Sequence, residues 1–400
     1  MIRSSKITNK YANINKNNSL NYFIDEYKKV VIFLIDELWK EDKIPNLLPK
    51  QLTDKVNSWL SKRAIQCAGK QASAIVRGTK KKQEQRLFVI HKLTKEGCFK
   101  KARKLQKIYD SKKVSKPNVN NICPELDSRF VKIDLDNQTS FDGWLTLTSL
   151  GNKLKIIIPF KRHKHLNKLF SKGTLKTGVR LSKDKITLMF DIEEVKKKTN
   201  GTTLGIDIGI KDLLSCSNEY QSKTDIHGHD LESIQLELRR KKKGSKSFKK
   251  AQEHRKNYIN WSINKLNIDN IKQVNFENIK YLRYKKRNNR YLSHFIYSEI
   301  FDKLDSLCEE HGVHVLRVNP TYTSQRCSEC GWVRKRNRKG KQFICDKCGY
   351  SHDSDINAAR NISFNLSPIR RKKRLLNLNR SGFYWDSIVQ EPIVSEARKI

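Results

Sequence analysis

Two sets of side chains in this 400-residue chain have the types and spacing for metal chemistry. The first set is soft. Cys327-x2-Cys330 and Cys345-x2-Cys348 are fourteen residues apart, and a glycine, Gly331 or Gly349, follows each pair. Four thiolates in two short pairs can enclose one tetrahedral ion, and a closed four-sulfur site leaves no position for a reacting water, so the expectation is one structural zinc. A redox dithiol would need only one pair. The second set is hard. Asp207 lies in "GIDIG", Glu277 ends the strand-like "QVNFE", and Asp355 lies in "DSDINAARNI" at the mouth of an expected helix, where a plain helix cap is an equally good reading. Each acid alone is ordinary. Brought together, three carboxylates can hold two divalent cations that activate water and stabilise the leaving oxygen of a phosphodiester, and magnesium would balance like charges held so close.

Charge points to the substrate class. Lys and Arg number 83 against 41 Asp and Glu, a formal charge of +42, and a compact form with that surplus repels itself unless a polyanion neutralises it. Nucleic acid is the expected partner and a membrane is not. The first twenty residues contain no apolar leader, and "VVIFLIDELW" is too short to span a bilayer and carries Asp36 and Glu37. Nine cysteines, five of them solitary, argue against a disulfide framework and for a reducing compartment.

The elements that must position these groups can be read from periodicity. After a short strand-like start, Phe23, Ile24, Tyr27, Val30, Val31, Leu34, Ile35 and Leu38 recur at helical spacing. A second stripe runs from Val56 to Ile75, and after "RGTKKKQEQ" a third, basic helix is expected from Leu87 to Tyr109, making 11–124 mainly helical. From Phe130 the period changes to two in "VKIDLD", "GWLTLTS", "KLKIIIPF" and "KITLMFDIEEV", which predicts an antiparallel sheet or small barrel over 125–198. Beyond the linker "KKKTNGTT", strands and helices alternate, as in an α/β unit. Residues 364–400 read as a basic, flexible tail, with "RRKKR" at 370–374 a candidate nuclear signal or RNA-binding arm.

In order along the chain, "GIDIGIKD", the basic "RRKKKGSKSFKKAQEHRKN", "VNFENI", "NPTYTSQRCSECG" and "DSDINAARNI" resemble the RuvC-type nuclease half of the TnpB proteins of insertion sequences, relatives of the compact type V CRISPR effectors. The resemblance covers roughly 199–363 and departs at the second motif, where Phe276 and Asn278 flank the acid. It implies a multidomain α+β and α/β architecture. A helical recognition domain (11–124) would be inserted in a β-rich, OB-like wedge (1–10 and 125–198), followed by an RNase H-like RuvC domain (199–363) with a zinc ribbon at 320–352. It also implies an RNA-guided, magnesium-dependent DNA endonuclease. Guide RNA would pair with double-stranded target DNA beside a short adjacent motif, and Asp207, Glu277 and Asp355 would hold two Mg2+ ions. A monomer in the cytoplasm, or in the nucleus of a eukaryote, is the expected state. Two other classes keep the charge but not the chemistry: a nuclease-inactive RNA-guided repressor, and a guide-free DNA-binding transposition accessory protein.

Three arginines beside the cysteines, Arg326, Arg334 and Arg336, are candidate nucleic-acid contacts, since "PTYTSQRC" and "WVRKRNRKGKQ" combine hydroxyls and cations suited to phosphate. His227 and His229 in "DIHGHD" have the look of a metal pair but are expected to be solvated.

Overall fold

The structure, a computed structural model, describes residues 1–400 apart from 42, 46–47, 112–114, 136–138, 211, 280–296, 368, 370–376 and 386–400. The basic run at 370–374 therefore lies outside the described residues. The chain divides into two compact units, Met1–Glu194 and Val195–Ile400.

In the first unit, strand β1 (Ile2–Thr8) leads into helices α1 (Ile14–Lys40), α2 (Lys50–Asp54), α3 (Lys62–Lys95) and α4 (Phe99–Ser111). Helix α1 buries the apolar stripe anticipated from its periodicity, Phe23 to Leu38. Ala64, Ala68 and Ala72 face it from α3, small enough to let the two helices pack closely. Helix α3 runs unbroken through "RGTKKKQEQ", which reads as a break in the sequence. One interior glycine costs only about 1 kcal/mol relative to alanine, and the Lys, Gln and Glu residues around Gly78 are good helix formers. The break comes later, at Gly97. Its φ of 68° lets the Cys98 amide reach the Leu93 carbonyl (2.8 Å) and the Gly97 amide reach that of Thr94 (3.1 Å), the glycine-terminated stop of a helix.

After α4 come β2 (Glu125–Leu126), β3 (Val131–Asp134), β4 (Gly143–Leu147), β5 (Ile156–Phe160), α5 (Lys164–Lys172), β6 (Gly173–Leu181) and β7 (Lys185–Ile192). They form two antiparallel sheets, ordered β1-β7-β6-β2 and β3-β4-β5. Neither closes into the barrel expected from the resemblance. The two-residue β2 ends where Asp127 caps a 3-10 turn at Ser128–Phe130, and that corner breaks the ladder before β3 begins. Strand β6 escapes a period-two reading because its register shifts between Lys176 and Val179.

The second unit is built on a four-stranded sheet ordered β11-β10-β8-β9, from β8 (Thr202–Asp207), β9 (Ser215–Cys216), β10 (Ile271–Glu277) and β11 (His314–Val318). Strand β10 runs parallel to β8 and β11. A helical hairpin, α6 (Leu231–Arg240) and α7 (Lys246–Asn264), lies between β9 and β10 in the chain. Leu204, Ile206, Val274 and Phe276 belong to one core with Tyr258, Ile259 and Ile263 of α7 and with Ile300 and Leu304 of the helix Tyr297–Glu310. The opposite face of the sheet meets the helix Ser354–Ser363. There Asn275 donates from Nδ2 to the carbonyls of Ile362 and Ser363 (both 3.1 Å), and a Cβ on Gly205 would lie 2.0 Å from the Ala359 carbonyl oxygen. Only glycine permits that approach.

The described part of the tail is not loose. Residues 377–385 return to the cysteine-rich segment, where β16 (Phe383–Tyr384) pairs with β12 (Trp332–Val333) and Trp385 is fully buried. Phe383 and Trp385 form a small core with Val333 and Leu366.

Candidate metal and phosphodiester centre

The cysteines converge. Cys327 Sγ lies 3.7 Å from Cys348 Sγ and Cys330 Sγ 3.6 Å from Cys345 Sγ, with all four sulfurs within 4.8 Å of one another. Tetrahedral coordination at bond lengths of ~2.3 Å requires sulfur–sulfur edges of ~3.8 Å, so the cage fits a zinc-sized ion. The two halves are built alike. The Gly331 amide donates to the Cys327 carbonyl (3.1 Å) and the Gly349 amide to that of Cys345 (3.0 Å), and both glycines have positive φ, 78° and 75°.

The carboxylates gather by sheet geometry. Gly205 stands opposite Asn275 in the parallel β8–β10 register, and Ile206 opposite Phe276. Side chains alternate along a strand, so Asp207 and Glu277, two residues beyond Gly205 and Asn275, point to the same face as those two, toward the helix Ser354–Ser363. Asp355 is in the first turn of that helix. The cap is a different residue: Asp353 accepts from the amides of Asp355 (2.8 Å) and Ile356 (3.1 Å), which leaves the Asp355 carboxylate for other partners.

Burial raises the Asp207 carboxyl to about 8, helped by the charges of Glu277 and Asp355 and opposed by Arg338. Burial also pushes Glu277 up, against a hydrogen bond from Thr323 Oγ1 (2.5 Å) and the charge of Arg338. Tyr297 rises to about 12, through burial and then through the charges of Glu277 and Asp207. Burial and mutual repulsion thus disfavour the charged forms of Asp207 and Glu277 unless a cation offsets them. What cation the cluster has comes from the cysteine-rich ribbon. Arg338 donates to Asp355 Oδ1 at 2.8 Å, and Lys341 bridges Asp355 and Asp212.

The juxtaposition of ribbon and acid has a structural cause in two asparagines one helical turn apart. Asn357 Oδ1 accepts from the Ser328 amide (3.0 Å) and its Nδ2 donates to the Arg326 carbonyl (2.8 Å). Asn361 Nδ2 donates to the carbonyls of Thr323 (3.0 Å) and Arg326 (2.7 Å). Both asparagines are buried, so the helix that presents Asp355 is pinned to the first cysteine pair. Strands β14 (Gln342–Ile344) and β15 (Ser351–Asp353) pair and lead directly into it. The sequence signal for this is the i, i+4 spacing of Asn357 and Asn361 on a face that is otherwise alanine and isoleucine.

The arginine candidates separate. Arg326 is only 5% exposed and donates to the Trp385 carbonyl (2.6 Å) and Asn361 Oδ1 (2.7 Å), so it holds the tail and helix together and offers no surface to phosphate. Arg334 and Arg336 converge on Asp346 at 2.5 and 2.6 Å, with Arg336 exposed. Tyr322 packs its ring on Phe383.

With this geometry in place, comparison with known proteins gives a consistent answer. Residues 297–362 match the family model described as Cas12f1-like, TNB domain. Over 75 residues the chain is 45% identical to the CRISPR-associated endodeoxyribonuclease Cas12f1 of Sulfoacidibacillus thermotolerans, 18% of each chain. Over 98 residues it is 36% identical to a TnpB-like protein of Aquifex aeolicus (strain VF5), 23% of this chain and 32% of that one. Over these segments the chain is similar to TnpB-like and Cas12f1 proteins. Its fold also resembles that of the protein in a cryo-EM structure of a Cas12f1-sgRNA-target DNA complex, with a TM-score of 0.51 at 17% identity over 87% of this chain and 81% of the other. The matched segments span well under two thirds of the length of the two curated relatives. No helix among the described residues is long and apolar enough to cross a membrane.

Proposed function

We propose that the chain is an RNA-guided DNA endonuclease that hydrolyses phosphodiester bonds at Asp207, Glu277 and Asp355. The observation that carries this reading is the convergence of the two strand-end acids on the helix that carries the third, close enough that Asp207 feels the charges of both Glu277 and Asp355. Three carboxylates are hard oxygen donors of the kind that fit Mg2+. When bound, the ions would supply Lewis acidity toward the scissile phosphate and lower the pKa of an attacking water. The chain's own groups do the rest. Thr323 orients Glu277, and the Asp353 cap and Asn357 set the helix so that Asp355 faces Asp207. Arg338 and Lys341 hold the Asp355 carboxylate through ion pairs.

The four cysteines would hold one structural Zn2+, and the +42 surface would bind guide RNA and double-stranded target DNA. Base pairing would supply target specificity, with the protein reading a short duplex motif and backbone shape. A monomer acting in the cytoplasm of a prokaryote is the simplest assembly, and exposed Arg336 remains a candidate phosphate contact.

The test has two arms. Sequencing of RNA that copurifies with the chain should return one discrete species; random cellular fragments would remove the guide. Asp207→Ala and Asp355→Ala should each lower magnesium-dependent cleavage of matched duplex by about 10^3-fold or more while binding of guide and DNA persists. Normal cutting by both variants would end the nuclease assignment.

A further inference from the structure

Away from the carboxylate centre, three side chains converge that the proposed reaction does not use: Asp225, His229 and His254, whose ligand atoms lie within 4.8 Å of one another. We propose that they form a second metal site, specific for a divalent transition ion of the zinc class, that ties the loop before α6 to helix α7.

Each ligand is held by a separate local device. Asp225 Oδ1 accepts from the amides of His227 and His229 (both 2.9 Å), a turn that fixes its carboxylate over the loop. His229 immediately precedes Asp230, the N-cap of α6, whose side chain and that of Ser233 form a reciprocal capping box. His254 projects from the middle of α7, and its Nε2 lies 3.0 Å from Asp225 Oδ2. The loop is tied to α7 a second time by Tyr258, whose hydroxyl donates to the Lys223 carbonyl at 2.9 Å. Three donors held in place by the turn, the helix cap and α7 form a site already arranged, which is what metal affinity requires.

The distances suit the ion. Tetrahedral coordination by nitrogen and oxygen at bond lengths of ~2.0–2.1 Å gives ligand–ligand edges of ~3.3 Å. Asp225 Oδ2 lies 3.0 Å from His254 Nε2 and Asp225 Oδ1 lies 3.5 Å from His229 Nδ1, so each imidazole stands near that distance from one oxygen of the carboxylate. His229 Nδ1 is shielded from solvent and has no hydrogen-bond partner, although it faces the Asp225 carboxylate. A buried imidazole nitrogen without a hydrogen bond is costly, and a cation between it and the carboxylate would satisfy both. Two imidazoles and one carboxylate select zinc, cobalt or nickel over magnesium and leave a fourth position for water.

The ion would fix the angle of the α6–α7 hairpin. The turn between these helices carries Lys241, Lys242 and Lys243, and α7 continues with Lys246, Lys249 and Lys250, so the clip would orient a basic arm.

Equilibrium dialysis of the full-length protein against Zn2+, with metal quantified per chain, tests this directly. The four cysteines serve as an internal reference equivalent. Wild-type protein should bind one equivalent beyond that reference, and His254→Gln should lose it while keeping a hydrogen-bond donor to Asp225 and an unchanged circular dichroism spectrum. With Co2+, the extra equivalent should give weak ligand-field bands without sulfur charge-transfer absorption. If His254→Gln unfolds, His229→Ala, at a half-exposed side chain, should show the same loss. A wild-type protein with no second equivalent, or variants that retain it, would overturn the site.

Discussion

The cysteine cage and the carboxylate centre are neighbours built on opposite principles. The cage is local: its ligands span residues 327–348, two knuckles turn on glycines with matching hydrogen bonds, and the sulfurs meet at coordination distance without help from a distant element. The carboxylate centre is assembled at a distance. Its acids come from β8, β10 and a helix that packs on them only because Gly205 has no side chain and Asn275 reaches the helix end. A local cage contributes its metal's binding energy to folding. Acids crowded by tertiary structure do the reverse until a cation arrives. Destroying the first site should therefore unfold something, and destroying the second should disarm an intact protein.

The largest expected effect follows from that contrast. Cys345→Ser removes a ligand from a closed cage and should abolish the tightly held zinc, with a loss of at least several kcal/mol of ribbon stability. Cleavage should fall as well, because β14 and β15 lead into the helix that presents Asp355. Metal analysis and thermal unfolding check this. A variant that keeps its zinc and its melting temperature would show that the cage is not the organising element.

The second test sharpens the other half. In the metal-free protein the folded-state Asp207 carboxyl sits near 8, above its ordinary value of 3.8. A raised carboxyl contributes stability fully below about pH 4 and loses it as pH rises to about 8, because the unfolded chain ionises while the folded one resists. Melting temperature should decline over that interval, and Asp207→Asn should flatten the decline and raise stability at pH 8. Magnesium at pH 8 should stabilise the wild type and leave the asparagine variant nearly unchanged. Equal pH slopes for the two proteins would mean that the acids are not crowded.

The same contrast explains what could be read from the sequence. The cage was fully legible, since ligand type and spacing are its structure. The three acids were legible through their placement at strand and helix ends and through the family resemblance, but their partners were not. Arg338 and Lys341 look like solvated loop residues until β13 (Arg338–Lys339) and β14 fold the ribbon against Asp355. Thr323 looks no different from Thr321 until it meets Glu277. Arg326 reads as a phosphate ligand by charge, whereas burial among Trp385 and Asn361 decides its role. In the first unit, α1 was clear from its apolar stripe, yet the length of α3 and the open sheets were not. An interior glycine such as Gly78 need not stop a helix, and the 3-10 turn capped by Asp127, which interrupts the strands, leaves no mark in their period.

The smallest effect separates two acids two residues apart. Asp353 caps the helix and Asp355 faces the centre, so Asp353→Ala should cost about 1 kcal/mol of stability, the usual loss for an N-cap, and lower cleavage by only a few-fold. Asp353→Asn keeps an acceptor for the Asp355 and Ile356 amides and should recover most of both. Asp355→Asn keeps the shape of its side chain but loses the charge, and should cut no better than Asp355→Ala. Parallel melting and cleavage measurements on the four variants distinguish a cap from a ligand. If Asp353→Asn melts like the wild type but no longer cuts, the acid that matters is Asp353, and the centre faces the Gln221 side of the helix, where Asp353 accepts a 3.3 Å hydrogen bond.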